Sequence, residues 1–386
     1  MNIKAILAIA VCKILRFLSR LLHRGGTAMP GRIALKLCPD LLSRLASSVN
    51  TLVITGTNGK TTSARMAEAA LEKQGTACIA NRSGANLWDG ITTEFVMNST
   101  LTGKMKKHYA VIECDEGAAV KVFPQLQPKV ILVTNLFRDQ LDRYGEVTHT
   151  LESIRTAAAG APGAVLCLNA DCSLTASLAG DLPNRAVFYG LGKDATAGGK
   201  KPEHSDAAHC LRCGAEYEYD YISYDHLGHF RCPVCGYRRQ ESQYTVTHVI
   251  EQKADSSVVA MDLNGQKQVA EVNLPALYNV YNAVGVMAAV SEMGVPTDTA
   301  LAALESFQCG FGRMERFPLA GGARMMLVKN PAGFDQVVRY LENIKEPFAL
   351  LICLNDGVGD GKDISWIWDA DFEGLVDLGS YVSRIM

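Results

Sequence analysis

This 386-residue sequence lacks three features: a large net charge of one sign, an uninterrupted apolar run near the N-terminus, and cysteines arranged as a disulfide framework. Lysine and arginine number 38 against 40 aspartates and glutamates, for a net charge of −2. So balanced a composition argues against bulk binding of nucleic acid. The length suffices for two or three domains with large hydrophobic cores.

The first 26 residues mix apolar residues with cations. Lys4 precedes AILAIAVC, as in a short signal peptide, but Lys13, Arg16 and Arg20 interrupt the apolar run and no small-residue cleavage site is convincing. The run is also too short to span a bilayer, so the segment is predicted to form a basic amphipathic helix. Two interpretations stay open: the helix packs on its own domain, or it also contacts an anionic membrane surface. Neither implies export, so the protein is expected in the cytoplasm, in the second case at the inner face of the membrane.

Twelve cysteines divide into eight that stand singly and four that form two C-x-x-C pairs. The pairs are Cys210-Leu-Arg-Cys213 and Cys232-Pro-Val-Cys235, with eighteen residues between them. Each pair can present two thiolates to one tetrahedral ion, and the spacing is typical of a four-cysteine zinc ribbon. Four thiolates leave no open coordination position, so this zinc is expected to be structural. A redox dithiol or a disulfide pair is the alternative.

The stretch TLVITGTNGKTT at residues 51–62 is predicted to form a buried strand, a glycine turn and the start of a helix over 61–74. Such a turn binds phosphate because backbone N–H groups and the helix dipole point at it. Lys60 is expected to reach terminal phosphates, and the hydroxyl of Thr61 or Thr62 to hold Mg²⁺. Ile54 stands where a standard P-loop has glycine, so this loop is shortened. An ordinary strand–helix turn is the alternative. The turn itself consists of Gly56, Thr57, Asn58 and Gly59.

Further apolar runs predict a largely parallel α/β sheet with helices between its strands. The expected strands cover residues 77–80, 110–114, 130–134, 164–168 and 186–189, with a helical lead-in over 31–48 and a polar loop over 81–93. Polar residues follow several strands, and the carboxyl ends of parallel strands meet at one edge of a sheet. Glu113, Asp115, Asn135 and Asn169 are therefore expected to point towards one place. Glu113 and Asp115 are expected to be oxygen ligands of Mg²⁺.

Beyond the cysteine pairs, alternating patterns predict antiparallel strands at 244–250 and 257–272, with Asn264-Gly265 as a hairpin turn. Helices are predicted over 279–293 and 297–307. A third section is predicted to contain a strand at 325–328, a helix at 332–344 and a strand at 348–354, with the start of another strand at 382–386.

Six motifs together make the sequence resemble the Mur ligase family, ATP-dependent enzymes that join amino acids to peptidoglycan precursors. They are GTNGKTT (56–62), IE (112–113), TN followed by RDQLDRYGE (134–146), LNAD (168–171), YNVYNA (278–283) and GRME (312–315). The resemblance implies that Lys60 and Thr61 contact ATP phosphate and Mg²⁺ and that Glu113 binds Mg²⁺. It likewise implies a nucleotide contact for Asn282 and a phosphate contact for Arg313. The chain departs from the family at Gln140 and Tyr278, where many members have histidine.

Within that family, the inserted ribbon and three further segments make the chain resemble the MurT subunits of lipid II isoglutaminyl synthase. The segments are RGGTAMPGRIA (24–34), GANLWDGIT (84–92) and KNPAGF with LNDGVGDGKDISWIWDADFE (329–334 and 354–373). The resemblance implies a heterodimer with a GatD-type glutaminase that supplies ammonia. ATP then activates the α-carboxylate of D-glutamate in lipid II, and ammonia gives D-isoglutamine. It also implies that Asp363 faces the glutaminase active site as a catalytic group; a cap of the following helix is the alternative.

The expected fold is α/β. A helical lead-in covers residues 1–49, a Mur-ligase-type central ATP-binding domain covers 50–313 with the zinc ribbon inserted at about 203–243, and a C-terminal α/β domain covers 314–386. A full Mur-type C-terminal domain needs more chain, so the sequence is expected to be incomplete. Two rival functions remain: a Mur- or folylpolyglutamate-type ligase that adds an amino acid, and a zinc-ribbon scaffold or nucleic-acid adaptor with a vestigial nucleotide site. The ribbon and the aspartate-rich loop argue against the first, and the intact Lys60, Thr61 and Glu113 argue against the second.

Overall fold

A computed structural model describes residues 2–22, 26–82, 84–138, 147–196, 205–308, 313–319, 322–344, 346–355 and 364–385. Their helices are α1 (Ile3–Leu21), α2 (Ala28–Leu37), α3 (Leu41–Ala46), α4 (Lys60–Lys73), α5 (Trp88–Met97), α6 (Glu116–Leu126), α7 (Val147–Ala159), α8 (Ser173–Asp181), α9 (Leu277–Met293), α10 (Thr297–Glu305) and α11 (Pro331–Glu342). Short 3₁₀ segments cover Lys193–Ala195, Ser365–Asp369 and Glu373–Tyr381.

The large sheet has nine strands: β1 (Asn50–Thr55), β2 (Cys78–Ala80), β3 (Tyr109–Glu113), β4 (Val130–Val133), β5 (Val165–Asn169), β6 (Ala186–Leu191), β9 (Tyr244–Gln252), β10 (Ser257–Leu263) and β11 (Gln266–Val272). Their order across the sheet is β11-β10-β9-β6-β5-β4-β1-β3-β2. The pairs from β2 to β9 are parallel, and β10 and β11 add an antiparallel edge. β1 and β4 are continuous buried runs because helices cover both faces of the parallel part.

Three smaller strand pairs lie outside this sheet. β7 (Glu218–Tyr224) and β8 (Leu227–Arg231) form the antiparallel hairpin between the two cysteine pairs. β12 (Arg313–Phe317) pairs with β13 (Ala323–Met326), and β14 (Phe348–Leu350) pairs in parallel with β15 (Val382–Ile385).

A second hydrophobic cluster forms around α11, separate from the main core. Phe334, Val338 and Leu341 of α11 are buried in it, and the ring of Phe334 lies 4.4 Å from that of Phe372. The cluster also includes Ala276, from just before α9. The domain boundaries expected from the sequence remain a prediction.

Most predicted elements are confirmed with ends shifted by a few residues, and two expectations are wrong. α5 begins at Trp88, inside the stretch expected to be a polar loop. It forms because it packs on α2, where the Cα of Gly31 approaches so closely that a Cβ would lie 1.9 Å from the carbonyl oxygen of Asp89. β14 ends at Leu350, four residues before the expected end.

α1 has a polar cap and packs through one face only. Asn2 accepts a hydrogen bond from the Ala5 N–H at 3.0 Å and so caps the helix. Ala5, Ala8, Ile9 and Cys12 are buried. Among the described residues, we find no helix with the length and hydropathy needed to cross a membrane.

Candidate active site

The glycine turn after β1 is built as the sequence predicts, and the loop after β4 holds it in place. The Thr57 N–H donates to the Asn135 carbonyl at 2.8 Å, and the Asn58 N–H donates to the Asn135 side-chain oxygen at 2.9 Å. Thr57 Oγ1 accepts from the Phe137 N–H at 3.0 Å. These bonds fix the turn at the N-terminal end of α4, where the helix dipole favours an anion.

Gly56 and Gly59 are required by both conformation and space. Their φ angles are +116° and +86°, values that side-chain-bearing residues rarely adopt. A Cβ at Gly56 would lie 2.4 Å from Thr134 Oγ1, and one at Gly59 would lie 2.1 Å from Asn282 Oδ1. The second contact brings Asn282 of α9 directly against the turn.

The Lys60 ammonium is buried in the turn and paired with a carboxylate that the sequence did not single out. Lys60 Nζ donates to the Gly56 carbonyl at 2.5 Å and forms an ion pair with Glu116 Oε1 at 2.6 Å. Both side chains are at most 10% exposed. Glu116 therefore compensates the Lys60 charge, and a phosphate that binds at the turn must compete for it.

The Thr61 hydroxyl and the Glu113 carboxylate meet beside this ion pair. Thr61 Oγ1 donates to Glu113 Oε2 at 2.7 Å. Asn81 fixes the Glu113 backbone by accepting its N–H at 3.0 Å and donating to its carbonyl at 2.7 Å. Asp115 instead caps α6, since its Oδ1 accepts from the Gly117 and Ala118 N–H groups at 3.0 and 3.1 Å.

A cavity of about 1090 Å³ opens in front of these groups. Lys60, Glu113 and Asn282 line one side, while most of residues 326–338 and all of 350–355 line the other. Asn330 bridges the two sides. Its side chain accepts from Asn58 Nδ2 at 3.3 Å and donates to Asn58 Oδ1 at 3.1 Å. The cavity is large enough for a nucleotide with a second substrate.

The four cysteines of the two C-x-x-C pairs converge as predicted. Cys210, Cys213, Cys232 and Cys235 have sulfur atoms that all lie within 4.8 Å of one another. The closest separations, 3.4 and 3.5 Å, are far longer than the roughly 2 Å of a disulfide bond. N–H groups donate to sulfur at Cys210 and Cys232, as suits thiolates. This cluster can hold a metal ion.

The ribbon hairpin is anchored beside the main sheet through a buried contact between His226 and Cys172. His226 Nε2 lies 3.4 Å from Cys172 Sγ, and His226 Nδ1 lies 3.0 Å from Asp225 Oδ1. Burial alone would lower the pKa of His226, but Cys172 and Asp225 raise it to about 10. Burial would likewise raise the pKa of the Cys172 thiol, yet His226 lowers it below its usual value. The His226 ring also packs at 4.7 Å on Phe137, which binds Thr57 in the phosphate turn.

Comparisons with known proteins identify the family. The Mur ligase middle domain model matches residues 54–230, and the MurT ligase C-terminal model matches residues 327–386. The lipid II isoglutaminyl synthase (glutamine-hydrolyzing) subunit MurT of Streptococcus pneumoniae (strain ATCC BAA-255 / R6) is 32% identical over 98% of this chain and 83% of its own length. This chain belongs to the MurT family. The MurT subunit of Staphylococcus aureus (strain COL) is 34% identical over 95% of this chain and 82% of its own length.

Solved structures agree on the fold of this MurT family member. A pseudomurein peptide ligase type C from Methanothermus fervidus superposes with a TM-score of 0.64 at 21% identity, covering 88% of this chain and 67% of its own. MurF ligase from Thermotoga maritima in complex with ADP superposes with a TM-score of 0.60 at 12% identity, covering 90% and 68%. Both likenesses confirm the predicted Mur ligase fold.

The predicted site residues of this MurT chain divide into three groups. Most residues of the turn line one cavity together with Glu113 and Asn282. Of the other two, Thr61 bonds to Glu113 and Gly56 accepts from Lys60. Arg313 begins β12, but its side chain lies outside the described atoms. Asp363 and Gln140 lie outside the described residues; Ile364 and Trp366, just after Asp363, line the cavity.

Sequence reasoning missed Glu116 and Asn330. Glu116 stands in the acidic run ECDEG after β3, where any of three carboxylates is a candidate partner of Lys60. Asn330 precedes a proline at the first position of α11, a pattern that predicts a helix cap. Its Oδ1 does accept from the Gly333 N–H at 2.9 Å. No local pattern indicates its second role against Asn58.

Proposed function

We propose that this chain is the ATP-using subunit of a glutamine-hydrolysing lipid II isoglutaminyl synthase. It amidates the α-carboxylate of D-glutamate in the lipid II stem peptide to give D-isoglutamine. The observation that carries the proposal is the MurT relationship over nearly the whole chain. It is supported by the phosphate turn, whose Thr61 bonds to Glu113 and whose Lys60 lines the same cavity as Glu113.

ATP binds with its terminal phosphates at the N-terminus of α4. Lys60 exchanges Glu116 for phosphate oxygens, and Asn282 lies beside Gly59 on the nucleotide side. A carboxylate oxygen of D-glutamate attacks the γ-phosphorus, the bond from phosphorus to the bridging oxygen breaks, and ADP leaves with the electron pair. Such a transfer depends mainly on positioning and charge compensation, and Lys60 supplies both. Arg313 is proposed to add a second cation on the phosphate side.

Ammonia completes the reaction. Its nitrogen attacks the acyl carbon of the acyl phosphate, the carbon–oxygen bond to phosphate breaks, and the nitrogen loses a proton to leave the amide. Phosphate is a good leaving group, whereas a free carboxylate is a poor electrophile. Phosphorylation at the turn therefore has to come first.

The donors beside Lys60 fit a magnesium ion. The Thr61 hydroxyl and the Glu113 carboxylate are hard oxygen donors, and Asn81 holds the Glu113 backbone. When bound, Mg²⁺ would neutralise charge on the phosphate oxygens. The four cysteines are proposed to hold a structural zinc ion, which closes the hairpin and offers no coordination position for catalysis.

The partner is proposed to be a GatD-type glutaminase in a heterodimer, with lipid II taken from the inner face of the membrane. Asp363 is proposed to orient the catalytic histidine of that glutaminase, as the third member of a triad does. Ile364 and Trp366 border the cavity, which supports a role for this part of the chain in the passage of ammonia to the acyl phosphate.

The test supplies the chain, its glutaminase partner, lipid II and Mg-ATP with either glutamine or free ammonia. Mass spectrometry reads the conversion of one carboxyl to an amide. Lys60→Ala is expected to lose the product with both nitrogen sources, because activation fails. Asp363→Asn is expected to lose only the glutamine-dependent product. An added amino acid would favour the plain ligase, and an absence of ATP consumption by the unaltered chain would favour the scaffold.

A further inference from the structure

The outer face of α1 is apolar and exposed along its whole length. Ile3 is 85% exposed, Phe17 67% and Leu21 65%, and Leu7 and Ile14 are more than half exposed. Spacings of four, seven, three and four residues put these side chains on a single stripe. The opposite face, with Ala5, Ala8, Ile9 and Cys12, already packs on the protein core. The apolar side chains of the stripe therefore do not contribute to the buried core.

Cations border this stripe, and α1 itself contains no carboxylate. At 100° per residue, Lys4 lies on one side of the stripe, and Lys13 and Arg20 lie on the other. Lys13 donates to the Ser99 carbonyl at 2.7 Å. Burial is the main cause that lowers the pKa of Lys13, and the nearby charge of Lys106 lowers it further. The nearby acid on the adjoining helix is Glu94, which is partly buried and faces Arg16 and Arg20.

We propose that the outer face of α1 docks the protein onto an anionic phospholipid surface. A helix with an apolar stripe and flanking cations lies in the plane of the interface, apolar side chains down and cations level with the lipid phosphates. Charge complementarity decides the occupant, since the charged residues that α1 itself places beside the stripe are all cations, and such a stripe fits a surface dense in phosphate. A second copy of α1 would bring like charges together.

The position of α1 relative to the cavity suits a substrate that is itself bound to a membrane. This part of the inference rests on the function proposed above. α1 packs against α2 and α5. α5 begins at Trp88, directly after Leu87, which lines the cavity. α5 therefore joins the docking helix to the rim of the site, and a lipid-linked substrate could be reached from the same bilayer.

The experiment is sedimentation of the full chain with vesicles of phosphatidylglycerol and phosphatidylcholine in equal parts, against phosphatidylcholine alone. Binding is expected to the anionic vesicles and to weaken with added salt. Phe17→Gln combined with Leu21→Gln is expected to reduce the partition coefficient by about tenfold or more, since two large side chains no longer insert. Val269→Thr, which changes an exposed apolar residue on β11, is the matched control and should bind normally.

The outcomes separate this proposal from the catalytic one. Amidation of a short-chain, water-soluble lipid II analogue should be unchanged in the Phe17/Leu21 variant and lost in Lys60→Ala. Equal binding by wild type and the Phe17/Leu21 variant would overturn the docking proposal. A second result would also overturn it: the wild-type protein does not bind vesicles, and the Phe17/Leu21 variant loses self-association or glutaminase binding. The stripe would then be a protein interface.

Discussion

Asn330 is expected to couple the phosphate turn to the C-terminal segment. Replacing it by alanine or by aspartate should lower the free energy of unfolding by different amounts. Asn330→Ala deletes the cap of α11, worth about 1 kcal/mol. It also deletes two amide–amide hydrogen bonds to Asn58, each worth about 0.5–1.5 kcal/mol. Their lengths of 3.1 and 3.3 Å place them in the lower part of that range. The free energy of unfolding should therefore fall by about 2–3 kcal/mol.

Asn330→Asp separates the two contributions. A carboxylate still caps α11 and still accepts from Asn58 Nδ2, but it cannot donate to Asn58 Oδ1. The cost should be about 1 kcal/mol, less than that of alanine.

Urea unfolding monitored by tryptophan fluorescence measures both values, since Trp366 and Trp368 lie in the C-terminal segment. Asn58→Ala completes a double-mutant cycle, with an expected coupling of about 1 kcal/mol. Strict additivity of Asn58→Ala and Asn330→Ala, or an aspartate variant as unstable as alanine, would refute the reasoning.

Three further predictions concern other parts of the molecule. Glu116→Gln should remove the buried ion pair with Lys60, destabilise the nucleotide-free protein by about 2–4 kcal/mol and increase the thermal shift produced by Mg-ATP; an unchanged shift would contradict this. Cys232→Ser should abolish the metal content measured by elemental analysis and lower the melting temperature, whereas Cys353→Ser at an exposed cysteine should do neither. Burial raises the pKa of Asp335 from 3.8 to about 6, so this carboxyl favours the folded state when protonated, and its contribution to stability should be lost as the pH rises from 4 to 6. Asp335→Asn should remove that slope and be the more stable protein at pH 7; urea titrations at several pH values that show the same slope in both proteins would contradict it.

The sheet and the phosphate turn could be predicted because their patterns are local. β1, β4 and β5 are short apolar runs followed by polar residues, and the turn joins two glycines to Lys60. The carboxyl ends of parallel strands meet at one edge of a sheet, and this rule grouped Glu113, Asp115, Asn135 and Asn169. The first three line the cavity.

Other features could not be predicted because they depend on contacts distant in sequence. Residues 81–93 are largely polar and contain glycines, a composition typical of a loop, but the packing of α5 on Gly31 decides the outcome. Asn58 and Asn330 are 272 residues apart. The approach of His226 to Phe137 likewise appears only once the ribbon hairpin folds back on the sheet. The exposure of Phe17 depends on which face of α1 the core covers.

The most direct test of carboxylate activation uses lipid II whose D-glutamate α-carboxylate carries the heavy isotope of oxygen. The complete synthase is given this substrate with Mg-ATP and glutamine, and the released phosphate is analysed by mass spectrometry. Attack of the carboxylate on the γ-phosphorus predicts one heavy oxygen in phosphate for each amide formed. Amide formation with unlabelled phosphate would contradict an acyl phosphate intermediate at the turn that holds Lys60.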